Sequence, residues 1–499
     1  MSTDVERSAP PITDGQSAGL RALLDAQRSD FLQAGPPSAA VRRDRIDRLI
    51  LLLTENADEF STALNADFGN RPHAVNLLSE VAGIMPDLTA TRRHLESWMR
   101  PQRVRSATFM GMPTLVEKKP RGVVGIIGPW NFPVGLVVQP AASAFAAGNR
   151  VMIKFSEVTA GTAEVFAAKA ATYFEPTELT VVTGGPEVGA AFSALPFDHL
   201  FFTGSPGVGA LVAAAAAKNL VPVTLELGGK NPAVIAPGAD VPAMARRVMA
   251  ARLANGGQLC LCPDYAFVPS HQVDAFVSAA LEHGRVAAST EGEAGMVSIV
   301  DDKNFQRVNA LIDDARAHGA VIRDTDTPSD LTRRRVPPTV VRGITDEMRI
   351  AREEVFGPVL SVLPYDTIDE VCDYIAARPS PLAAYWYGPA AAGLDQFRAR
   401  TLSGGMSVND FAVHCAVMGA PFGGVGHSGW GAYHGKTGFD TFTHHRTVTT
   451  SRLPMSFAGL ITPPYPAALA PAISAYVRFE RFRARRRRNR SARRSGLAR

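Results

Sequence analysis

From Gly19 to about Met99 the apolar residues recur at three and four positions, as at Ile46, Leu49, Ile50 and Leu53. That period matches one face of an α-helix turned toward a core, so the spacing predicts a helical region. The pattern then changes. A short alternating segment, TLVEKK at 114–119, and a Gly-punctuated apolar run, GVVGIIG, lead into helical stretches that alternate with short β-rich runs: RVMIKFS, LTVVTG, HLFFTG, PVTLELGG and PAVIAP. Strands alternating with helices predict a parallel sheet covered on both faces. A second α/β region is predicted from about Gly229 to Gly429, with strand candidates YAFVPS, VLSVLPY and MSVND, and the Thr-rich DTFTHHRTVTTSR at 440–452 is also β-prone. No internal repeat interrupts this order.

A chain of 499 residues exceeds what one core usually supports, so two or three domains are predicted. The four cysteines, Cys260, Cys262, Cys372 and Cys415, are too few for a disulfide framework and read as reduced and intracellular. Residues 1–18 are polar and proline-bearing, with no basic start and apolar run, and read as a disordered leader. The net charge of +5 is unevenly distributed: the tail from Arg478 to Arg499 carries eleven arginines and one acid, a net +10, which leaves −5 on the rest. The basic balance therefore belongs to the tail and does not point to a nucleic-acid-binding fold.

Five segments offer chemistry. In GQLCLCPDY, Cys260 is either a small buried apolar residue or a nucleophile whose thiol needs an assisting base. Cys260 and Cys262 lie two apart, but no second cysteine pair stands at usable spacing, so no metal site is expected. In VTLELGGKNP, Glu226 closes an apolar strand and is either a carboxylate capping the next turn or a general base with a raised pKa. Asn131 in GPWNFP is either an ordinary turn residue or an amide donor to an oxyanion. The loop FFTGSPGVG, with Gly204, Ser205, Gly207 and Gly209, precedes a helix and suits either a tight turn or a phosphate. Lys154 and Glu157 in VMIKFSE are either solvated charges or ribose contacts.

The joint order of these segments, with REEVFGPVL, PLAAYWY and PFGGVGHSG after them, resembles the aldehyde dehydrogenase superfamily from about Gly19 to Arg452. PDY after the cysteine, GWGAYHGKTGFDTFTH and the later PPYP are similar to the class 3 and coniferyl-aldehyde branch. The resemblance implies Cys260 as nucleophile, Glu226 as general base and Asn131 as oxyanion donor, helped by the Cys260 N–H. It implies NAD or NADP as cofactor, with Lys154 and Glu157 at the adenosine ribose and Gly204, Ser205 and Gly209 at the pyrophosphate. Glu354 would then hold the nicotinamide ribose with Phe356 packing beside the ring, and Trp130 and Leu227 would be further cofactor contacts. Two departures stand out: Phe155 replaces the proline usual after the lysine, and Cys262 stands where a small residue such as Ala is common.

The resemblance further implies an aldehyde dehydrogenase-like α/β fold, with two parallel-sheet domains and a small β oligomerisation element. Residues 19–100 and 121–228 would form the dinucleotide-binding domain, 229–436 the catalytic domain, and 101–120 with 437–452 the oligomerisation element of a homodimer. Residues 453–499 form a C-terminal extension. The implied reaction oxidises an aldehyde, aromatic or medium-chain aliphatic, to a carboxylic acid through a Cys260 thioester. A CoA-acylating enzyme, or a non-catalytic protein on the same fold, is the alternative. Four prolines between Ser456 and Val477 argue against a spanning helix, so the expected location is cytoplasmic. The arginine tail reads as solvated and disordered, with weak peripheral contact to anionic membranes as the functional expectation.

Overall fold

The computed structural model describes residues 13–105, 111–290, 292, 295–390, 392–417, 419–453 and 456–494. It divides into two compact units, one of residues 1–100 and 118–445, the other of residues 101–117 and 446–499. The first unit opens with the helices Asp14–Ala34, Ala39–Glu55, Ala57–Phe68 and Met85–Met99. Ile46, Leu49 and Leu53, the periodic residues of the second helix, are fully buried. Of the expected leader, residues 1–12 lie outside the described residues, while residues 14–18 belong to the helix that begins at Asp14. Thr13 caps that helix by accepting from the Gln16 N–H, and Gln16 returns a bond to the Thr13 backbone.

Two sheets follow within this unit. The first runs in the order Gly429–Trp430, Val223–Leu227, His199–Gly204, Val123–Ile127, Arg150–Lys154, Leu179–Val182. All pairs but the one at Gly429–Trp430 are parallel, so the carboxyl ends of five strands share one edge. The strand order reverses between Val123–Ile127 and His199–Gly204, where an open α/β sheet leaves a crevice. The second sheet runs Val321–Asp324, Thr339–Arg342, Val359–Tyr365, Pro263–Pro269, Asn231–Ile235, Ala383–Tyr387, Gly405–Val408, antiparallel only at its Val321–Asp324 edge. The chain leaves this sheet before residue 436. Gly429 pairs with Glu226, and Tyr433, Phe439 and Phe442 join the core of the first sheet because their rings are buried there.

A smaller three-stranded sheet joins Gln102–Val104, Thr114–Pro120 and Thr443–Thr449. In the second unit the tail departs from the expected disorder: Leu469–Arg494 is a helix, whose Glu480 pairs with Arg483 at 2.8 Å. Arg, Ala and Leu are strong helix formers, and this preference governs the segment once Pro471 has been passed in the first turn. Among the described residues no helix is long and apolar enough to cross a membrane.

The helical layer is tied to the first sheet through Glu178, which precedes the strand Leu179–Val182. Arg45 donates to it at 2.9 Å and Arg48 at 2.7 Å. Burial works to raise the Glu178 carboxyl, but the hydrogen bonds from Arg48 and Arg45 prevail and hold it at about 2. A depressed carboxyl stabilises the fold above its ordinary pKa and loses that contribution as pH falls toward the folded value. Glu178→Gln should therefore lower stability at pH 7 by about 1.5–3 kcal/mol. In thermal melts the gap between variant and parent should close as pH drops from 4.5 toward 2.

Candidate active site

The carboxyl edge of the first sheet gathers four of the five segments singled out in the sequence. Asn131 follows the strand Val123–Ile127, Lys154 ends Arg150–Lys154, Gly204 ends His199–Gly204, and Glu226 is the next-to-last residue of Val223–Leu227, in register with Thr203. The fifth segment, with Cys260, lies just ahead of the strand Pro263–Pro269 of the second sheet.

Cys260 is held by its backbone. Asn231, fully buried, donates Nδ2 to the carbonyls of Cys260 at 2.7 Å and Cys262 at 3.0 Å, and accepts from the Ala383 N–H. Asn255 and Gly256, at φ 50° and 65°, and Gly257 at 79° turn the chain sharply ahead of it. Gly257 has no room for a Cβ, which would stand 2.2 Å from the Gly357 carbonyl oxygen. Gln258, also fully buried, fixes the same turn through the Ser298 carbonyl and the Val300 N–H. Asn131 donates Nδ2 to the Gln258 carbonyl at 3.1 Å, which places its amide two residues from the thiol.

Glu226 is buried, and neither of its carboxyl oxygens has a hydrogen-bond partner. Burial pushes its carboxyl well above the ordinary range. Cys260 is partly exposed, yet the protein around its sulfur strips water from the charged form. Burial therefore raises its thiol, and the Glu354 and Glu226 carboxyls raise it further. Thiol and carboxyl thus feel each other's charge, and the orphaned oxygens of Glu226 can accept a proton from any water admitted beside them. Cys262 is different. It is buried, donates its S–H to the Ala251 carbonyl at 3.2 Å, and burial lifts its thiol to about 12.

The remaining predicted residues sit on several elements of the first unit. Ser205 caps the helix Pro206–Ala217, accepting from the Val208 N–H, and Gly209 packs so closely that a Cβ would meet Leu227 at 2.6 Å. Glu157 lines a pocket with Ser156, Glu164, Thr183, Gly184 and Gly185. Lys154 is buried, donates to the Phe155 carbonyl at 2.6 Å and lies 3.7 Å from Glu157. Phe155 turns away into the core, its ring 4.9 Å from Phe166, so the replacement of proline is absorbed by packing. Glu354 is pressed over Gly228, where a Cβ would stand 2.0 Å from its Oε2, and burial raises its carboxyl to about 8. Phe356, at φ 48°, meets Trp130 edge-on at 5.3 Å.

Several supporting residues stood inside the quoted motifs without being assigned a role. Lys230 pairs with Asp264 and donates to the carbonyls of Ile350 at 2.8 Å and Glu353 at 3.0 Å. Asp264 accepts from the Val355 N–H at 2.9 Å. Arg252 donates to the carbonyls of Gly357, Pro263 and Gly257. A charged residue between Gly-Gly and Asn-Pro, and an aspartate after Cys-Pro, were the available signals.

The sequence pattern of the aldehyde dehydrogenase family matches residues 11–448. A probable coniferyl aldehyde dehydrogenase of Caulobacter vibrioides is 44% identical over 445 residues, spanning 87% of this chain and 92% of that one. A dimeric NADP-preferring aldehyde dehydrogenase of Rattus norvegicus is 35% identical over 432 residues, spanning 85% and 93%. The solved structure of a Mycobacterium tuberculosis aldehyde dehydrogenase complexed with NAD+ matches with a TM-score of 0.79 at 28% identity, covering 88% of this chain and 91% of that one.

Access separates the two neighbouring thiols. Iodoacetamide at pH 8 should label Cys260 before Cys262, read by peptide mapping over time. Labelling in the opposite order would contradict the burial described.

Proposed function

The chain belongs to the aldehyde dehydrogenase family, and from that premise we propose that Cys260 is its nucleophile, Glu226 its general base and Asn131 its oxyanion donor. It is an oxidoreductase that oxidises aldehydes with NAD or NADP. The observation that carries the residue assignment is the buried, unpartnered carboxyl of Glu226, whose charge reaches the Cys260 thiol.

The cofactor groups fit the residues present. The first turn of Pro206–Ala217, opened by Gly204 and Ser205 and packed close through Gly209, offers N–H groups to a pyrophosphate. Lys154 and Glu157 would hold the adenosine ribose, and Glu354 the nicotinamide ribose, with Trp130, Leu227 and Phe356 packing around that end. Bound NAD(P) supplies the hydride acceptor.

Cys260 loses its thiol proton to Glu226, which passes it to solvent, as Sγ bonds to the aldehyde carbon and the C=O electron pair moves onto the carbonyl oxygen. Asn131 has two amide hydrogens; one serves the Gln258 carbonyl and the other, with the Cys260 N–H, meets the oxyanion. Loss of hydride from the same carbon leaves a thioester on Cys260. Glu226 then takes a proton from water as that water adds to the thioester carbonyl. The C–S bond breaks, the carboxylic acid leaves and the Cys260 thiol is restored. A CoA-acylating enzyme needs no such base, so Glu226 favours hydrolysis over acyl transfer.

The substrate class we assign is aromatic aldehydes, following the coniferyl aldehyde dehydrogenase relative. Residues 19–100 and 121–228 would serve the cofactor and the second sheet the thiol. The three-stranded sheet would pair with a second copy in a homodimer, because its edge N–H and C=O groups need covering. The tail helix, with Ile473, Tyr476, Val477 and Phe479 exposed among arginines, would touch anionic membranes peripherally.

Five measurements test this reading. Absorbance of NAD(P)H with coniferyl-type and aliphatic aldehydes should rise without CoA, and addition of CoA should leave the rate unchanged. NAD should bind more tightly than NADP, because Glu157 and Glu164 both line the ribose pocket and repel a 2′-phosphate. Glu226→Gln should give a burst of NAD(P)H followed by turnover slowed by ~10²–10⁴; unchanged turnover removes Glu226 from the mechanism. Light scattering should report a dimer, and deletion of residues 472–499 should abolish pelleting with anionic vesicles at low salt. A stable monomer, or equal pelleting of both chains, would reject those two assignments.

A further inference from the structure

Residues Leu77–Ala82 form a turn of π-helix, in which the Gly83 N–H reaches back five residues to the Leu78 carbonyl at 2.7 Å. Such widened turns are frequent at functional sites. This one carries Glu80 inward, where it is 1% exposed, and its two carboxylate oxygens have separate tasks. Oε1 lies 2.9 Å from Nη1 of Arg71. Oε2 accepts the N–H groups of Gly135 at 2.8 Å and Val134 at 3.2 Å. Arg71 is itself fully buried, donates Nη2 to the Ser79 hydroxyl at 3.2 Å, and lies over the rings of Phe68 and Phe132 at 4.8 and 5.0 Å.

These contacts converge on one short stretch of chain. Asn131 is followed directly by Phe132, whose ring Arg71 covers. Pro133 comes next, then Val134 and Gly135, whose N–H groups Glu80 holds at the start of the helix Gly135–Ala147. On the other side Asn255 Nδ2 donates to the Asn131 carbonyl at 3.3 Å. The backbone is therefore held at the Asn131 carbonyl itself and again over residues 132–135 directly after it. A buried ion pair adds little to stability that apolar residues of equal volume would not also provide. What it adds here is direction, because a guanidinium fork and a two-bond carboxylate fix orientation where greasy side chains would slide.

We propose that the buried Arg71–Glu80 pair is the positioning device for Asn131, acting through the turn of residues 132–135. The proposal rests on the reading of Asn131 as oxyanion donor. Arg71 and Glu80 would set the aim of the second amide hydrogen without touching substrate, cofactor or the reacting atoms.

A double-variant cycle tests it, read by single-turnover acylation of Cys260 at saturating NAD. NAD binding by fluorescence and thermal melting are measured alongside. Glu80→Gln keeps the shape, removes the charge and turns an amide toward Arg71. It should slow acylation roughly ten- to a hundredfold, the scale of a small misplacement, while leaving NAD affinity unchanged. In an N131A background E80Q should slow acylation no further, because the group it acts through is gone. Arg71→Lys keeps the charge and loses the fork, so it should fall between the parent and E80Q. R71K takes the place of E80Q in the cycle if E80Q melts below the assay temperature. Losses that multiply in E80Q/N131A, or wild-type acylation by E80Q, overturn the proposal. Wild-type acylation by N131A overturns instead the reading of Asn131 as oxyanion donor.

Discussion

Beneath the thiol loop lies a set of charges with almost no access to water. Arg252 and Asp264 are each 1% exposed, and Lys230 reaches the same aspartate from just after the strand Val223–Leu227. A buried charge without partners is prohibitively costly, so each must be satisfied by hydrogen bonds or an opposite charge. That requirement does the architectural work. Arg252 binds carbonyls ahead of the thiol, after it and in the 350s segment, while Lys230 and Asp264 bind that segment from the other side. Three stretches of chain distant in sequence are thereby fixed against one another, and Cys260, Glu354 and Phe356 ride on them.

Above that anchor the site combines two opposed demands. Parallel strands bring Asn131, Gly204 and Glu226 to one edge, which is where polar side chains can leave the sheet without disturbing its core. The same edge is deep enough to deny Glu226 any hydrogen-bond partner and to raise both its carboxyl and the Cys260 thiol. Asn231 and Gln258 hold the backbone around Cys260, and the Arg71–Glu80 pair holds the turn after Asn131.

The second unit obeys simpler physics. Its strands join a short sheet, and the tail follows local helix propensity with most of its side chains exposed. Expecting disorder there gave too much weight to net charge. Arginine is a good helix former, and Glu80-like tertiary constraints are not required for a helix of this length to be written in local preferences.

The sequence by itself determined the elements and the chemistry on offer. Strand runs such as HLFFTG and PVTLELGG, the helical period at Ile46, Leu49 and Leu53, and the identities of Cys260, Glu226 and Asn131 were legible because periodicity and reactive group are local properties. It could not show which of the two neighbouring cysteines is accessible, nor that Phe155 packs into the core. Both follow from burial, which depends on residues far along the chain. The return of Gly429 to Glu226, and the closing of Glu80 onto Val134 and Gly135, are likewise contacts between segments with no mark of one another in their local pattern. Tertiary structure alone decided those, because hydrogen-bond satisfaction in a buried site is a property of the assembled neighbourhood and not of any one segment.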